Sequence, residues 1–156
     1  NPAQCKYQLI GVYSNKLVKT VAKVLTKLNM KCAWVVHGQD GLDEITTTGL
    51  TNVAEIKGSK IRYFKINPRK FDIPKASLKL LKGGSPKRNA EAIKNMLDGK
   101  KGPFRDICLL NAGAAIKISK TSIGLSDGIK IAETAIESGR AKDTLKKLIK
   151  ITNNKK

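Results

Sequence analysis

The sequence predicts an α/β fold in which strands come first and helices fill the second half. Cys32-Ala33-Trp34-Val35-Val36 is an unbroken apolar run, the pattern of a strand covered on both faces, as in a parallel sheet. Before it, Leu17, Val18, Val21, Leu25 and Leu28 recur at the spacing of one helix face. From Ser77 onward the pattern is helical nearly to the end.

Each element has its own local reason. Tyr7 to Val12 is short, apolar and ends at a turn, so it reads as a strand, and Ser14 is placed to cap the helix behind it. Strand, helix and the Cys32–Val36 strand then make one βαβ unit, for which a right-handed crossover is expected. His37 to Glu44 reads as a loop. Thr51 to Ile56 and Lys60 to Ile66, separated by Lys57-Gly58-Ser59, read as a hairpin or a pair of edge strands. Pro68 and Pro74 break the chain beyond this pair. Gly83-Gly84-Ser85-Pro86 ends one short helix and opens another, with Ser85 as N-cap, Pro86 at the first helical position, and Ala90, Ile93 and Leu97 as its apolar face. Phe104 to Ile118 is a long helix whose small residues, Asn111 to Ala115, permit close backbone packing. Asn111 itself reads as a packing or inter-helix hydrogen-bonding position. Leu125 to Ser138, stopped by Gly139, and Thr144 to Ile151 are the last helices, and the tail from Asn153 is expected to fray. The strands are few for a complete doubly wound sheet, and the chain enters its first strand without an initiator Met. Both features suggest a stretch within a longer protein.

The 156 residues suit one domain of ordinary size, and 40% hydrophobic content is enough for a core. No apolar run is long enough to span a bilayer, so no membrane partner is expected. Cys5, Cys32 and Cys108 lie far apart with no CxxC pair, which argues against zinc and for thiols kept reduced in a cytoplasm. The net charge of +19 admits two readings, a nucleic-acid partner or a surface in which lysine has replaced other residues throughout. The pattern favours the second. Only five of the 31 basic residues are arginine, the lysines are spread mostly over the polar faces of helices, and aromatics are 4%.

One loop carries candidate chemistry. Asp40, Asp43 and Glu44 lie within five positions, directly after the carboxyl end of the buried strand, where ligands bind in open α/β sheets. Asp43 and Glu44, preceded by Gly38 and Gly41, have the oxygen ligands magnesium prefers, and magnesium often takes only one or two carboxylates. Composition alone leaves a solvated turn equally open. His37, the one histidine, has no nucleophile motif to serve and reads as a hydrogen-bonded residue at a strand end. Gly83-Gly84-Ser85-Pro86 reads as a helix cap before it reads as an anion site.

Val35-Val36-His37-Gly38-Gln39-Asp40-Gly41-Leu42-Asp43-Glu44 closely resembles a signature of the anthranilate phosphoribosyltransferases. Further stretches resemble the same family in the same order: Asn1-Pro2-Ala3, Tyr7 to Tyr13, Ala76-Ser77-Leu78, Gly83-Gly84 with Asn89-Ala90, Lys101-Gly102-Pro103 with Arg105-Asp106, and Leu109 to Ala112. The resemblance implies the C-terminal portion of a phosphoribosyltransferase/nucleoside-phosphorylase-like α/β domain over residues 1–152, with 153–156 a disordered tail. It implies transfer of phosphoribosyl from phosphoribosyl pyrophosphate to anthranilate, with release of pyrophosphate, in tryptophan biosynthesis. It further implies a homodimer of two-domain subunits, and Mg2+ held with the help of Asp43 and Glu44. The family's helical domain, its glycine-rich pyrophosphate loop, its Lys-His-Gly-Asn segment and its anthranilate-facing arginine lie upstream. No catalytic residue is therefore assigned, substrate-binding residues stay open, and this stretch alone is expected to show no turnover. The alternatives are a related phosphoribosyltransferase or phosphorylase with another acceptor, and a lysine-rich nucleic-acid-binding protein.

Overall fold

A mixed four-stranded sheet in the order β1-β2-β3-β4 organises the protein, whose computed structural model describes residues 4–153. The motif at Asn1-Pro2-Ala3 and the last three residues lie outside the described ones. β1 (Tyr7–Gly11) leads through α1 (Asn15–Lys27) to β2 (Cys32–Gly38), and these two strands are parallel. β2 is antiparallel to β3 (Thr51–Lys57), and β3 to β4 (Lys60–Ile66). A 3-10 turn (Pro68–Phe71) precedes α2 (Leu78–Leu81), α3 (Pro86–Leu97), α4 (Pro103–Ser119), α5 (Leu125–Glu137) and α6 (Arg140–Asn153).

The apolar run of β2 is buried on both faces because each face has its own cover. Cys32, Trp34 and Val36 point to one side, where they meet Leu110, Ala114 and Ile118 of α4. Ala33 and Val35 point to the other, against Val18, Ala22 and Leu25 of α1. A strand alternates its side chains between faces, so a strand between two helical layers has no polar position left. The parallel pairing expected for such a strand exists only on its β1 side; on the other side the β3–β4 hairpin adds antiparallel. That hairpin turns through Gly58 and Ser59, with Gly58 at φ 56, a conformation that costs little without a Cβ.

Several expectations shift in position. His37 and Gly38 belong to β2 and not to the loop after it. Ser14 is the N-cap residue of α1, but its side chain makes no capping bond. Leu28 sits at the end of α1, is 60% exposed, and leaves the buried face to Val18, Ala22 and Leu25. In α3, Ser85 accepts a hydrogen bond from the Arg88 N–H, as a cap should. The face named for that helix is turned away, however: Ala90 and Ile93 are exposed, while Met96 packs against Leu109, Ala132 and Ile136. α6 begins four residues earlier than its apolar spacing suggests, because Gly139 (φ 76) makes the turn and its carbonyl accepts from the Asp143 N–H. It runs to Asn153, where the sequence pattern predicts the start of a frayed tail.

The small residues of α4 serve close packing, as expected. A Cβ on Gly128 of α5 would stand 2.2 Å from the Gly113 carbonyl oxygen, so only hydrogen atoms fit between these two backbones. The lysines are not all on polar faces. Lys117 of α4 is buried, 3.6 Å from Glu55, which is itself 3% exposed on β3. Glu55 accepts from Trp34 Nε1 (3.1 Å) and from Arg62 Nε and a terminal guanidinium nitrogen (3.1 and 2.9 Å). Burial alone would raise its carboxyl. The hydrogen bonds from Trp34 and Arg62 and the charges of Lys57 and Arg62 outweigh that and hold it below the ordinary glutamate value.

Candidate metal centre

The acidic loop leaves the carboxyl end of β2 and is held by its own backbone and side chains. The Gly38 N–H donates to the Leu42 carbonyl (2.8 Å) and the Gly41 N–H to the Gly38 carbonyl (2.9 Å), with Gly41 at φ 95. Asp40 closes the turn from inside. It accepts from the Leu42 N–H (3.1 Å), from the Thr46 hydroxyl (2.5 Å) and from the Thr48 hydroxyl. Partial burial raises the Asp40 carboxyl, but these three donors together take it below the ordinary aspartate value. Asp40 is thus committed to the loop's own structure, which separates it from Asp43 and Glu44.

Those two are the acids left over. Asp43 is exposed and Glu44 half-buried, at an open rim. Burial pushes the Glu44 carboxyl up, and the charges of Asp43 and then Asp40 push it further in the same direction. The charges that act on Glu44 are therefore all negative, a surrounding that a bound cation would relieve. Among the described residues no group of three or more His, Cys, Asp or Glu side chains converges on one point. Two carboxylates without a third protein ligand suit magnesium, which keeps waters and ligand phosphates for its remaining positions.

Two residues that the sequence pattern does not assign to the loop hold this pair in place. A Cβ on Gly11, at the end of β1, would come 1.4 Å from the Asp43 carbonyl oxygen, so the loop lies directly on the strand's backbone. Asn111 on α4, which its sequence surroundings mark as a packing or inter-helix position, has this loop as its partner instead. Its Oδ1 accepts from the Ile45 N–H (2.9 Å) and its Nδ2 donates to the Ile45 carbonyl (2.8 Å). The sequence holds one signal for Gly11, a glycine closing an otherwise apolar strand. For Asn111 it holds none, since the partner is 66 positions away.

The remaining candidates are structural. His37 Nδ1 lies 2.8 Å from the Val12 carbonyl, where it serves as the hydrogen-bonded strand-end residue expected. Asn89 folds back on Gly84, accepting from its N–H and donating to its carbonyl, so the glycine pair is part of the α3 cap. Clefts of about 310 Å³ beside α3 and the start of α4, and about 500 Å³ between α1 and β4, do not include Asp43 or Glu44 in their linings.

A mixed sheet covered by helices on both faces, with a rigid acidic turn at the carboxyl ends of its parallel pair, places the ligand edge of an α/β domain at Asp43 and Glu44. The model of the glycosyl transferase family, a/b domain, matches residues 1–142, and the chain belongs to that family. Within it, the chain is similar to anthranilate phosphoribosyltransferases. It is 50% identical over 155 residues to that of Parvibaculum lavamentivorans, covering 99% of this chain and 46% of that protein. It is 47% identical over 154 residues to that of Azospirillum brasilense, covering 99% and 43%. Among solved structures, the Saccharomyces cerevisiae anthranilate phosphoribosyltransferase in complex with PRPP and Mg aligns with a TM-score of 0.83 at 28% identity, over 90% of this chain and 41% of that one. The Thermus thermophilus enzyme aligns with a TM-score of 0.79 at 32% identity, over 88% and 40%. The chain thus spans less than half the length of the relatives it matches.

Proposed function

We propose that this chain is the metal-binding portion of an anthranilate phosphoribosyltransferase. In this reading the complete enzyme transfers phosphoribosyl from phosphoribosyl pyrophosphate to the anthranilate amine, releases pyrophosphate, serves tryptophan biosynthesis in the cytoplasm and works as a homodimer. The observation that carries it is the Asp43–Glu44 pair, a half-buried carboxylate beside an exposed one with only negative neighbours acting on it, on a loop fixed at the ligand edge of the sheet. The acceptor and donor are those of the relatives at 43–50% identity, and one of the solved neighbours holds PRPP and Mg.

The chemistry fits the residues. Displacement at the anomeric carbon develops positive charge on the sugar and negative charge on the departing diphosphate. Mg2+ supplies neutralisation of that diphosphate when bound. Asp43 and Glu44 offer the hard oxygen ligands, Asp40 with Thr46 and Thr48 keeps the turn closed, and Gly11 lets the turn lie close to the sheet. These side chains orient charge and take no part in bond making, so positioning is their whole contribution.

The test is Asp43→Asn with Glu44→Gln in the complete enzyme. The rate at fixed Mg2+ is expected to fall by about a hundredfold or more, and the dependence on Mg2+ concentration to move to higher values. Unchanged turnover with an unchanged cation requirement would remove this loop from the mechanism.

A further inference from the structure

We propose that Asn111 is a positioning residue for the cation site, acting through the Glu44–Ile45 peptide; this rests on the assignment of Asp43 and Glu44 above. The amide of Asn111 is fully committed. Oδ1 accepts from the Ile45 N–H, one Nδ2 hydrogen goes to the Ile45 carbonyl, and the other goes to the Ile107 carbonyl one turn back on α4 (3.0 Å). Reversing the amide would aim its oxygen at two carbonyls, so the orientation is dictated by the neighbours. The helix that carries it is anchored in the core by Leu110 and Ala114 on either side of this position, both fully buried.

The place of the clamp argues for a role beyond holding the fold. The turn from Gly38 to Leu42 closes by its own backbone bonds, Asp40 secures it to Thr46 and Thr48, and the Ile45 side chain is already buried in the core. What those contacts leave free to rotate is the peptide immediately after Glu44. Asn111 grips that peptide and the carbonyl beyond it, while the Asp43 carbonyl rests on Gly11. The two acids are therefore bracketed, one side by a strand backbone and the other by a helix side chain. A ligand pair held this way keeps its carboxylates aimed without a metal in place, which lowers the ordering cost of binding one. Asparagine suits the position because an aspartate would face two carbonyls with a second oxygen, and glutamine would carry its amide one methylene too far.

Asn111→Ala in the complete enzyme tests this, with Asn111→Gln as a milder variant and Ile136→Ala as a stability control in the α4–α5 core. The readouts are the Mg2+ concentration giving half the maximal rate, kcat and KM for both substrates, and Mn2+ binding in the presence of pyrophosphate followed by electron paramagnetic resonance. Asn111→Ala is expected to raise the half-saturating Mg2+ and weaken Mn2+ binding by about tenfold, with KM for the acceptor unchanged, and Asn111→Gln to do the same to a smaller extent. Ile136→Ala is expected to lower Tm without moving cation dependence. If the Asn111 variants leave cation dependence where it was, or Ile136→Ala moves it equally, Asn111 is a structural residue only. If instead the Asp43→Asn, Glu44→Gln enzyme retains normal cation dependence, the reading of the loop fails first and this inference with it.

Discussion

Replacing Gly11 with alanine adds one methyl group, and the structure says where it lands. An ideal Cβ there lies 1.4 Å from the Asp43 carbonyl oxygen and 2.4 Å from its carbon, whereas ordinary van der Waals contact begins at 3.4 Å. The carbonyl, or the end of β1, must move by about 2 Å, several times the roughly 0.5 Å within which a working site must be held. The obstacle is purely steric, because Gly11 has no positive φ that alanine would strain. Overpacking of this kind costs about 1–3 kcal/mol of stability, but the loop is at the rim and can yield, so the larger effect is on alignment. A 1 Å misplacement costs about 10²-fold in rate, and Gly11→Ala is expected to lose at least that much in the complete enzyme, with weakened Mg2+ dependence and a modest drop in Tm. Gly49→Ala is the control, since a Cβ there meets nothing within 4 Å and φ is not positive. Steady-state turnover over a Mg2+ titration, with thermal melts beside it, measures both. Should Gly11→Ala match Gly49→Ala in rate and cation dependence, the loop does not need its seat on β1 and the geometric argument is wrong.

Cation affinity is expected to fall as pH drops through the raised Glu44 value, because proton and metal compete for the same oxygens; in Asp43→Asn, where the first of the two repelling charges is gone, that loss should move to lower pH in a pH-resolved Mn2+ titration. Glu55 has a depressed carboxyl, so its contribution to stability is present above the ordinary glutamate value of about 4.3 and is lost as pH falls through the lowered folded value. Glu55→Gln leaves Lys117 buried without its counter-charge and is expected to cost about 3–5 kcal/mol at neutral pH, read from denaturant melts; a loss within experimental error would mean Lys117 finds water. Gly128→Ala drives a Cβ into the Gly113 carbonyl and should destabilise by about 1–3 kcal/mol, again by melting. The 156-residue stretch assayed alone with both substrates and Mg2+ should give no turnover, and its DNA binding should be weak, unselective and steeply salt-dependent; product at a normal rate would overturn the first expectation.

The elements are legible where a local pattern decides them. The apolar run at β2, the helical spacing of α1, the Gly58 turn and the Ser85-Pro86 helix start are each set by a few adjacent residues, and each stands where the sequence puts it. Faces are less legible than elements. Leu28 and Ile93 are apolar at helical spacing yet exposed, since periodicity shows that a helix has an apolar side but not which neighbour arrives to cover it. The start of α6 escapes the same pattern because its apolar stripe begins later than the backbone turn at Gly139.

For the candidate site, the sequence alone identifies the acidic turn, the strand that delivers it and the two adjacent carboxylates, because type and spacing of side chains are local properties. It does not divide the three acids by role. That division depends on which hydroxyls reach Asp40, a matter of how the chain folds back from Thr46 to Thr48. Nor does it show that β1 and α4 bracket the loop, since the Gly11 contact with Asp43 and the Asn111 grip on Ile45 join segments tens of residues apart, and no periodicity records such meetings. The buried Glu55–Lys117 pair is hidden for the same reason: each charge is tolerable inside only because the other arrives, and that is decided in three dimensions.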